Sequence, residues 1–577
     1  MKIPPARYVE TERGYRLELG RLSINQSTFL LLGAILVGIG GGYGAVAFRR
    51  LISLEQWIAF VKLAPLFGFL RWGEVVPVLI VGGVLTAAIV NRFAKEAQGH
   101  GVPEVMAAVA LSGGVMRPRV IAVKSLASAT CIGFGGSCGR EGPIVQIGSA
   151  IGSMLGQIAK APAPIVRTLV ACGAAAGISA TFNAPIGGVF FASEIVLGDF
   201  APRSFANIVV ASVMAAVIGR AYFGNHPSFT ASAFYLVSPA ELALYAILGV
   251  IAAFWATGFV KVLYFFEDRF EALRMSPTLK AVLAFGSVGI IGIWYPQVFG
   301  VGYDAVDAIL ASHVQGQHAL VLAALKPIAT SLTLAGGGSG GIFAPSLFTG
   351  AMLGDSFGQV MHSIFPTWTA SAAAYGLVGM AAVFAAAAEA PITAITIVFE
   401  MSSDYTIVLP LMVCTVIATL IGRRLLGSTI YEMKLVRRGI DWARTRRPRP
   451  FARMRVSSVE RQPPFIAQTT QLLREVASQL AGSAEFAIPV VDSGRFVGML
   501  TVSDIAAGML ADSDASVGRY VRPAPQTLAP EDSLEYAATA MADPSTPLLP
   551  VIGPGGSLLG IITRRDLLEA YRSRTDL

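Results

Sequence analysis

A chain of 577 residues that is 54% hydrophobic and only 14% charged carries little more than half the charge of an ordinary soluble domain, about 25%. That balance excludes a wholly soluble protein and points to many membrane spans followed by a more polar tail after Leu435. The net charge of +8 does not mark a nucleic-acid partner, because much of it lies in 434–455, behind the last apolar segment, where Lys and Arg mark the cytoplasmic side.

Residues 1–23 mix Lys2, Arg7, Arg13, Arg16 and Arg21 with Glu10, Glu12 and Glu18. They lack the apolar core of a leader, so a cytoplasmic N-terminal segment without a signal peptide is expected. Apolar segments then recur from Ser27 to Leu426 within a membrane domain placed at 24–433. The stretches 29–48, 240–266 and 407–426 can span, which takes about 20 residues. Others (120–134, 186–197 and 391–401) are short and punctuated by Gly or Pro. They read as tilted, re-entrant or half-helices, tolerated where protein or an aqueous cavity satisfies the free backbone groups.

The membrane domain is internally duplicated. Residues 124–157 match 326–359 without a gap, at a shift of 202 that superposes Gly135 on Gly337, Gly139 on Gly341 and Pro143 on Pro345. Residues 173–194 match 379–400 at a shift of 206, pairing Glu194 with Glu400. Two halves, about 27–223 and 240–426, follow. If each crosses an odd number of times they lie antiparallel about a pseudo-two-fold axis in the membrane plane. Both termini are then cytoplasmic, and the binding site falls near the midplane. At Glu141 the symmetry fails: the second copy carries Phe343.

Three glycine-rich breaks precede helical patterns: Gly99-His100-Gly101-Val102-Pro103, Gly139-Arg140-Glu141-Gly142-Pro143 and Gly341-Ile342-Phe343-Ala344-Pro345. A half-helix starting at depth leaves N–H groups unpaired and turns its positive dipole end inward, which suits an anion. Glycine lets the backbone approach closely, and proline fits the first turn. A cation would prefer carbonyl-rich helix ends, which disfavours a cation-coupled transporter. Cys131, Cys138, Cys172 and Cys414 are scattered, the five histidines do not cluster, and no metal or disulfide framework is expected. With no nucleophile–base pair or Walker loop, an enzyme is not expected.

Behind a basic linker at 434–452, with Pro448 and Pro450, the tail repeats about every 60 residues. Ile488-Pro489-Val490-Val491 and the run from Gly498 to Asp504 recur as Leu549-Pro550-Val551-Ile552 and the run from Gly560 to Asp566. Apolar runs around a glycine turn read as strands, and Thr-x-x-Asp opens a helix in each copy, giving a soluble α/β pair.

On these motifs the chain resembles the CLC family of chloride channels and proton-coupled chloride exchangers over nearly its whole length. The resemblance implies an all-α polytopic membrane fold, an inverted repeat of broken and tilted helices, followed by a cytoplasmic α/β pair. It also implies a homodimer in the plasma membrane, bacterial inner membrane by expectation, with one pathway for chloride or a similar small anion in each subunit and no cofactor required. Glu141 is then the gating glutamate. The Ile342 and Phe343 amides hold the central anion and the Tyr431 hydroxyl closes it on the inner side, with His100, Gly101, Arg140, Gly142 and Ala344 completing the set.

Two positions depart from the family. His100 replaces a serine whose hydroxyl contacts the anion; its imidazole N–H either donates the same bond or turns to a nearby carbonyl. Ile195 stands where a second, proton-relaying glutamate follows the acid matched by Glu194. A passive Glu141-gated chloride channel is the leading expectation, and a proton-coupled chloride or nitrate exchanger the alternative. Glu194, Glu400, Glu104 and Glu389 read as structural. The tail resembles tandem CBS domains at 453–513 and 514–577. In nucleotide-binding examples, positions matching Thr501, Asp504, Thr563 and Asp566 contact an adenine nucleotide; the same Thr-x-x-Asp is also a capping pattern, and a structural role is favoured.

Overall fold

The computed structural model describes residues 7–11, 14–19, 22–225, 229, 236–311, 316–440, 454–481, 486–524, 526–543, 546 and 548–575. Most of the expected basic linker, Pro448 and Pro450 included, lies outside them. The chain forms two compact units, Met1–Arg446 and Arg447–Leu577.

In the first unit eight helical stretches are long and apolar enough to cross a membrane, among the described residues. The first half runs α1 (Gln26–Trp57), α2 (Val75–Phe93), α3 (Val102–Leu111), α4 (Arg119–Gly133), α5 (Glu141–Ile158), α6 (Ala163–Phe182), α7 (Pro185–Phe191) and α8 (Pro202–Phe223). The second repeats that order as α9 (Glu241–Ala272), α10 (Pro277–Trp294), α11 (Tyr303–Leu310), α12 (Gly316–Ala335), α13 (Phe343–Ile364), α14 (Ala372–Ala388), α15 (Pro391–Ser402) and α16 (Val408–Leu426). A short α17 (Glu432–Arg437) follows.

Bonds between the halves come in reciprocal pairs, as a two-fold relation requires. Gly139 and Gly341, equivalent under the shift of 202, form an antiparallel bridge: Gly139 N–H donates to the Gly341 carbonyl at 2.7 Å and Gly341 N–H to the Gly139 carbonyl at 2.6 Å. The Ser128 and Ser339 hydroxyls meet at 2.8 Å, and their counterparts Thr330 and Ser137 at 3.2 Å.

The paired glutamates behave alike. Glu194 accepts from the N–H of Thr393 at 2.8 Å and its hydroxyl at 2.6 Å, and from Ile392 N–H at 3.4 Å. Glu400 accepts from the N–H groups of Ile186 at 2.9 Å and Gly187 at 2.6 Å. Each carboxylate caps the proline-led first turn of the other half's short helix, α15 or α7, where N–H donors have no intrahelical partner. Bonds of this charged kind contribute about 1.5–3 kcal/mol each, so both acids serve the fold.

Small residues let the helices close up. A Cβ built on Gly148 would lie 2.1 Å from the Gly173 carbonyl oxygen, and one on Gly350 2.2 Å from that of Gly379. These equivalent contacts join α5 to α6 and α13 to α14, the small-residue packing expected where lipid offers no hydrophobic drive.

A buried lysine in each half ties off the carbonyls ahead of a break. Lys124 Nζ donates to Ala97 and Gly99 (2.9 and 2.8 Å), and its counterpart Lys326 to Val298 and Gly300 (both 2.9 Å). The second lysine reveals a fourth break, Gly300-Val301-Gly302. Its likeness to Gly99-His100-Gly101 is hidden in the pattern because Asp304 stands where Pro103 does.

The N-terminal segment, expected at 1–23 only as a cytoplasmic stretch of mixed charge, contributes three strands, β1 (Arg7–Thr11), β2 (Gly14–Leu19) and β3 (Leu22–Asn25), paired antiparallel in that order. Tyr15, Leu17 and Leu19 alternating with Arg16 and Glu18 supply the strand period.

The second unit holds two copies of one motif. In the first, β4 (Ala467–Gln468), β5 (Ala487–Asp492) and β6 (Arg495–Thr501) form a sheet followed by α18 (Val502–Ala511); in the second, β7 (Leu548–Ile552) pairs β8 (Leu558–Thr563) ahead of α19 (Arg564–Thr575). The copies exchange their leading segments. Val456 packs in the core of the second copy and Val517 in that of the first. Arg461 bridges to Ile561, and Arg522 to Met499.

Candidate functional site

Three helix starts converge where the sequence places its breaks. Besides the Gly139–Gly341 bridge, Gly99 N–H donates to the Gly338 carbonyl at 3.0 Å and Gly340 N–H to the Gly99 carbonyl at 3.3 Å. The glycines are required by contact. A Cβ on Gly142 would stand 2.0 Å from the His100 carbonyl oxygen, and one on Gly341 2.8 Å from the Gly142 nitrogen. Gly101 adds a φ of +81°, and its Cβ would meet the Gly142 carbonyl at 2.7 Å. The N-termini of α3, α5 and α13 therefore share one buried point, and their dipoles make it attractive to negative charge.

Glu141 supplies that charge. Its side chain is 1% exposed at the first residue of α5. Tyr303 Oη donates to Glu141 Oε1 at 2.7 Å, and Arg140 Nε lies 4.0 Å from the same oxygen. The Arg140 guanidinium stands 5.2 Å from the Tyr303 ring centre, so these three side chains form one cluster. Oε2 is buried without a hydrogen-bond partner among the described residues. A carboxylate this poorly solvated is held by few bonds, and desolvation favours any route that removes its charge or its burial. Tyr303 opens α11 just after the fourth break; a search for a Gly-x-Gly repeat at a shift of 201 finds it.

Phe343, the counterpart of Glu141, packs its ring against Phe384, Phe182 and Phe191, with centroids 4.3, 5.3 and 6.3 Å away. Its side chain is spoken for, which leaves its backbone, with those of Ile342 and Ala344, at the start of α13. Tyr431 is buried ahead of α17, held through its neighbour Ile430, whose N–H donates to Ala387 (2.8 Å) and whose carbonyl accepts from Tyr264 Oη (2.6 Å). No hydrogen bond joins the Tyr431 hydroxyl to the breaks among the described residues.

Of the two roles expected of His100, the turn to a nearby carbonyl is not seen among the described residues. Its buried ring turns no nitrogen to a carbonyl; Nε2 lies 3.8 Å from Glu267 Oε1, on α9, and neither nitrogen has a hydrogen-bond partner among the described residues. Glu104 and Glu389, read as structural, face arginines: Arg438 at 2.7 Å and Arg423 at 3.7 Å. Ile195 is buried.

In the tail, Thr501 and Asp504 form a reciprocal capping box at the start of α18. Arg522 holds the free Asp504 oxygen at 2.7 Å. Asp566 accepts from the Thr563 N–H and hydroxyl (2.7 and 2.6 Å) and from Arg461 Nε at 3.1 Å. All four side chains expected at a nucleotide are thus engaged within the protein.

Comparison with known proteins bears on the family and the fold. Residues 82–423 match the family model described as voltage gated chloride channel, and 456–511 and 517–573 match the CBS domain model. The chain is 32% identical over 416 residues to a Ralstonia nicotianae protein named "Putative chloride channel protein ClcB-like", covering 71% of this chain and 97% of that one. It is 31% identical over 424 residues to the H(+)/Cl(-) exchange transporter ClcA of Salmonella paratyphi B, covering 71% and 88%. The solved structure of a slow cyanobacterial Cl-/H+ antiporter superposes with a TM-score of 0.65 at 26% identity, over 73% of this chain and 99% of that one. A eukaryotic CLC transporter shares the fold at 18% identity, with a TM-score of 0.61 over 93% and 97%.

Proposed function

The chain belongs to the voltage gated chloride channel family of anion transporters, with two CBS domains behind its membrane unit, and we propose that it is a proton-coupled chloride exchanger worked by Glu141. The observation that carries this reading is the buried Glu141 carboxylate, docked among three helix N-termini with a hydrogen bond from Tyr303. A proton on Glu141 cancels its attraction to those N-termini and to Arg140. The side chain then leaves and an anion takes its place at the starts of α5 and α13. Deprotonation reverses the exchange, so one movable acid serves both ions. The likeness to exchangers over most of the membrane unit supports the reading. A passive channel is the second reading, favoured by the buried, untitratable Ile195 at the inner position.

Proteoliposomes decide between the two. An outward chloride gradient should drive protons inward against their own gradient; chloride efflux without uphill proton movement overturns the exchanger. Tyr303→Phe should speed chloride turnover about tenfold or more, because it removes a hydrogen bond to a charged group, about 1.5–3 kcal/mol. An unchanged rate would show that Tyr303 does not hold the docked state.

Family likeness further supports a homodimer of a multi-pass membrane protein with both termini cytoplasmic. For the tail we favour a structural role, since Arg522 and Arg461 already occupy the carboxylates a ribose would need. Calorimetry of the full-length protein with ATP, ADP and AMP should give no saturable heat, and a saturable isotherm would establish the regulatory role instead.

A further inference from the structure

A cluster of charge lies beside the first break, near α17, and has no part in that exchange. Near the end of α9, Glu267 and Asp268 face Lys434, Arg437 and Arg438, and all five line a cavity of about 440 Å³ beside α17. Most of these charges have a near partner. Arg437 bonds Asp268, and Arg438 bonds Glu104 at 2.7 Å. Glu267 is shared instead: its Oε1 stands 3.8 Å from both Lys434 Nζ and His100 Nε2. Both distances exceed hydrogen-bond length by less than 1 Å or so. His100 in turn is 1% exposed, and among the described residues neither ring nitrogen has a partner within hydrogen-bond distance. Its backbone abuts Gly142, the residue after Glu141. A carboxylate on a cavity wall thus stands beside a buried imidazole whose own residue belongs to the first break and abuts the start of α5.

Resting on the exchanger reading, we propose that Glu267 and His100 form the inner proton relay of this chain, supplying the route that Ile195 cannot. A hydronium ion in the cavity gives its proton to the Glu267 carboxylate, leaving water. Glu267 passes the proton to Nε2 of the neutral His100 ring, and the imidazolium releases one from Nδ1 toward Glu141, so no net charge stays on the ring. Outward transfer runs the same steps in reverse. The charged groups on the cavity wall beside Glu267 are Lys95, Lys280, Lys434, Arg437 and Arg438 against Asp268 and Glu271, and Lys124 from α4 bonds the Gly99 carbonyl next to His100. The cationic excess draws chloride into the same cavity.

The test reads the ratio of protons to chloride in proteoliposomes holding the full-length protein, with a chloride electrode and an internal pH dye. Glu267→Gln should keep chloride flux within about twofold and lower that ratio at least tenfold, while Glu267→Asp retains coupling. His100→Ser should lower the ratio likewise. Chloride movement without protons in the wild type overturns the exchanger reading itself. A coupled wild type whose ratio is unchanged in Glu267→Gln and His100→Ser, whatever their absolute rates, overturns the relay alone.

Discussion

Replacing Glu141 by alanine is expected to leave chloride flux intact and lower coupled proton movement by about 100-fold or more, the scale on which a positioned proton carrier matters. Alanine removes the acid and the plug together. The three helix starts remain, so the anion still finds unpaired N–H groups and dipole ends. With no carboxylate to dock, flux should also lose its dependence on pH. The measurement is paired chloride and proton flux from pH 4.5 to 7.5. A mutant that still drives protons uphill would remove Glu141 from the mechanism.

Gly142→Ala should abolish transport without touching a charged group. The new Cβ would lie 2.0 Å from the His100 carbonyl oxygen and 3.1 Å from Gly341 Cα, and both obstacles are backbone. Overpacking of this kind costs about 1–3 kcal/mol, and relief requires α5 to withdraw by roughly 1 Å, a displacement that costs about 100-fold at a site built on alignment. Chloride efflux from proteoliposomes should fall at least that far. Gly258→Ala is the control. A Cβ there meets nothing within 4 Å, so flux should hold, with a gain of about 0.5–1 kcal/mol in helix stability. Equal losses in both variants would show that the crowding at Gly142 is irrelevant.

Legibility in the sequence followed distance along the chain. The two halves, the starts of α5 and α13 and the pairing of Glu194 with Glu400 could be read because each repeats at a near-constant shift. Tyr303 escaped because its break lacks the proline that marks the first, although the glycine spacing is the same. Glu267 had no local signal at all. It ends a long apolar helix, and only the fold brings it to His100, 167 positions earlier. The turn of His100 toward that carboxylate, rather than toward a carbonyl, is likewise a fact of packing. In the tail, Thr501 and Asp504 were legible as a cap, yet Arg522 and Arg461 arrive through the exchange of leading segments, which no periodicity announces.

The mutual bonds of Gly139 and Gly341 set what motion costs. Two residues bonded to each other across a two-fold straddle its axis, so this bridge stitches one half to the other beside the helix starts. Pulling the halves apart there would break both bonds, about 0.5–1.5 kcal/mol each. Turning the glutamate side chain two residues away breaks neither, which makes it the less costly way to open the site.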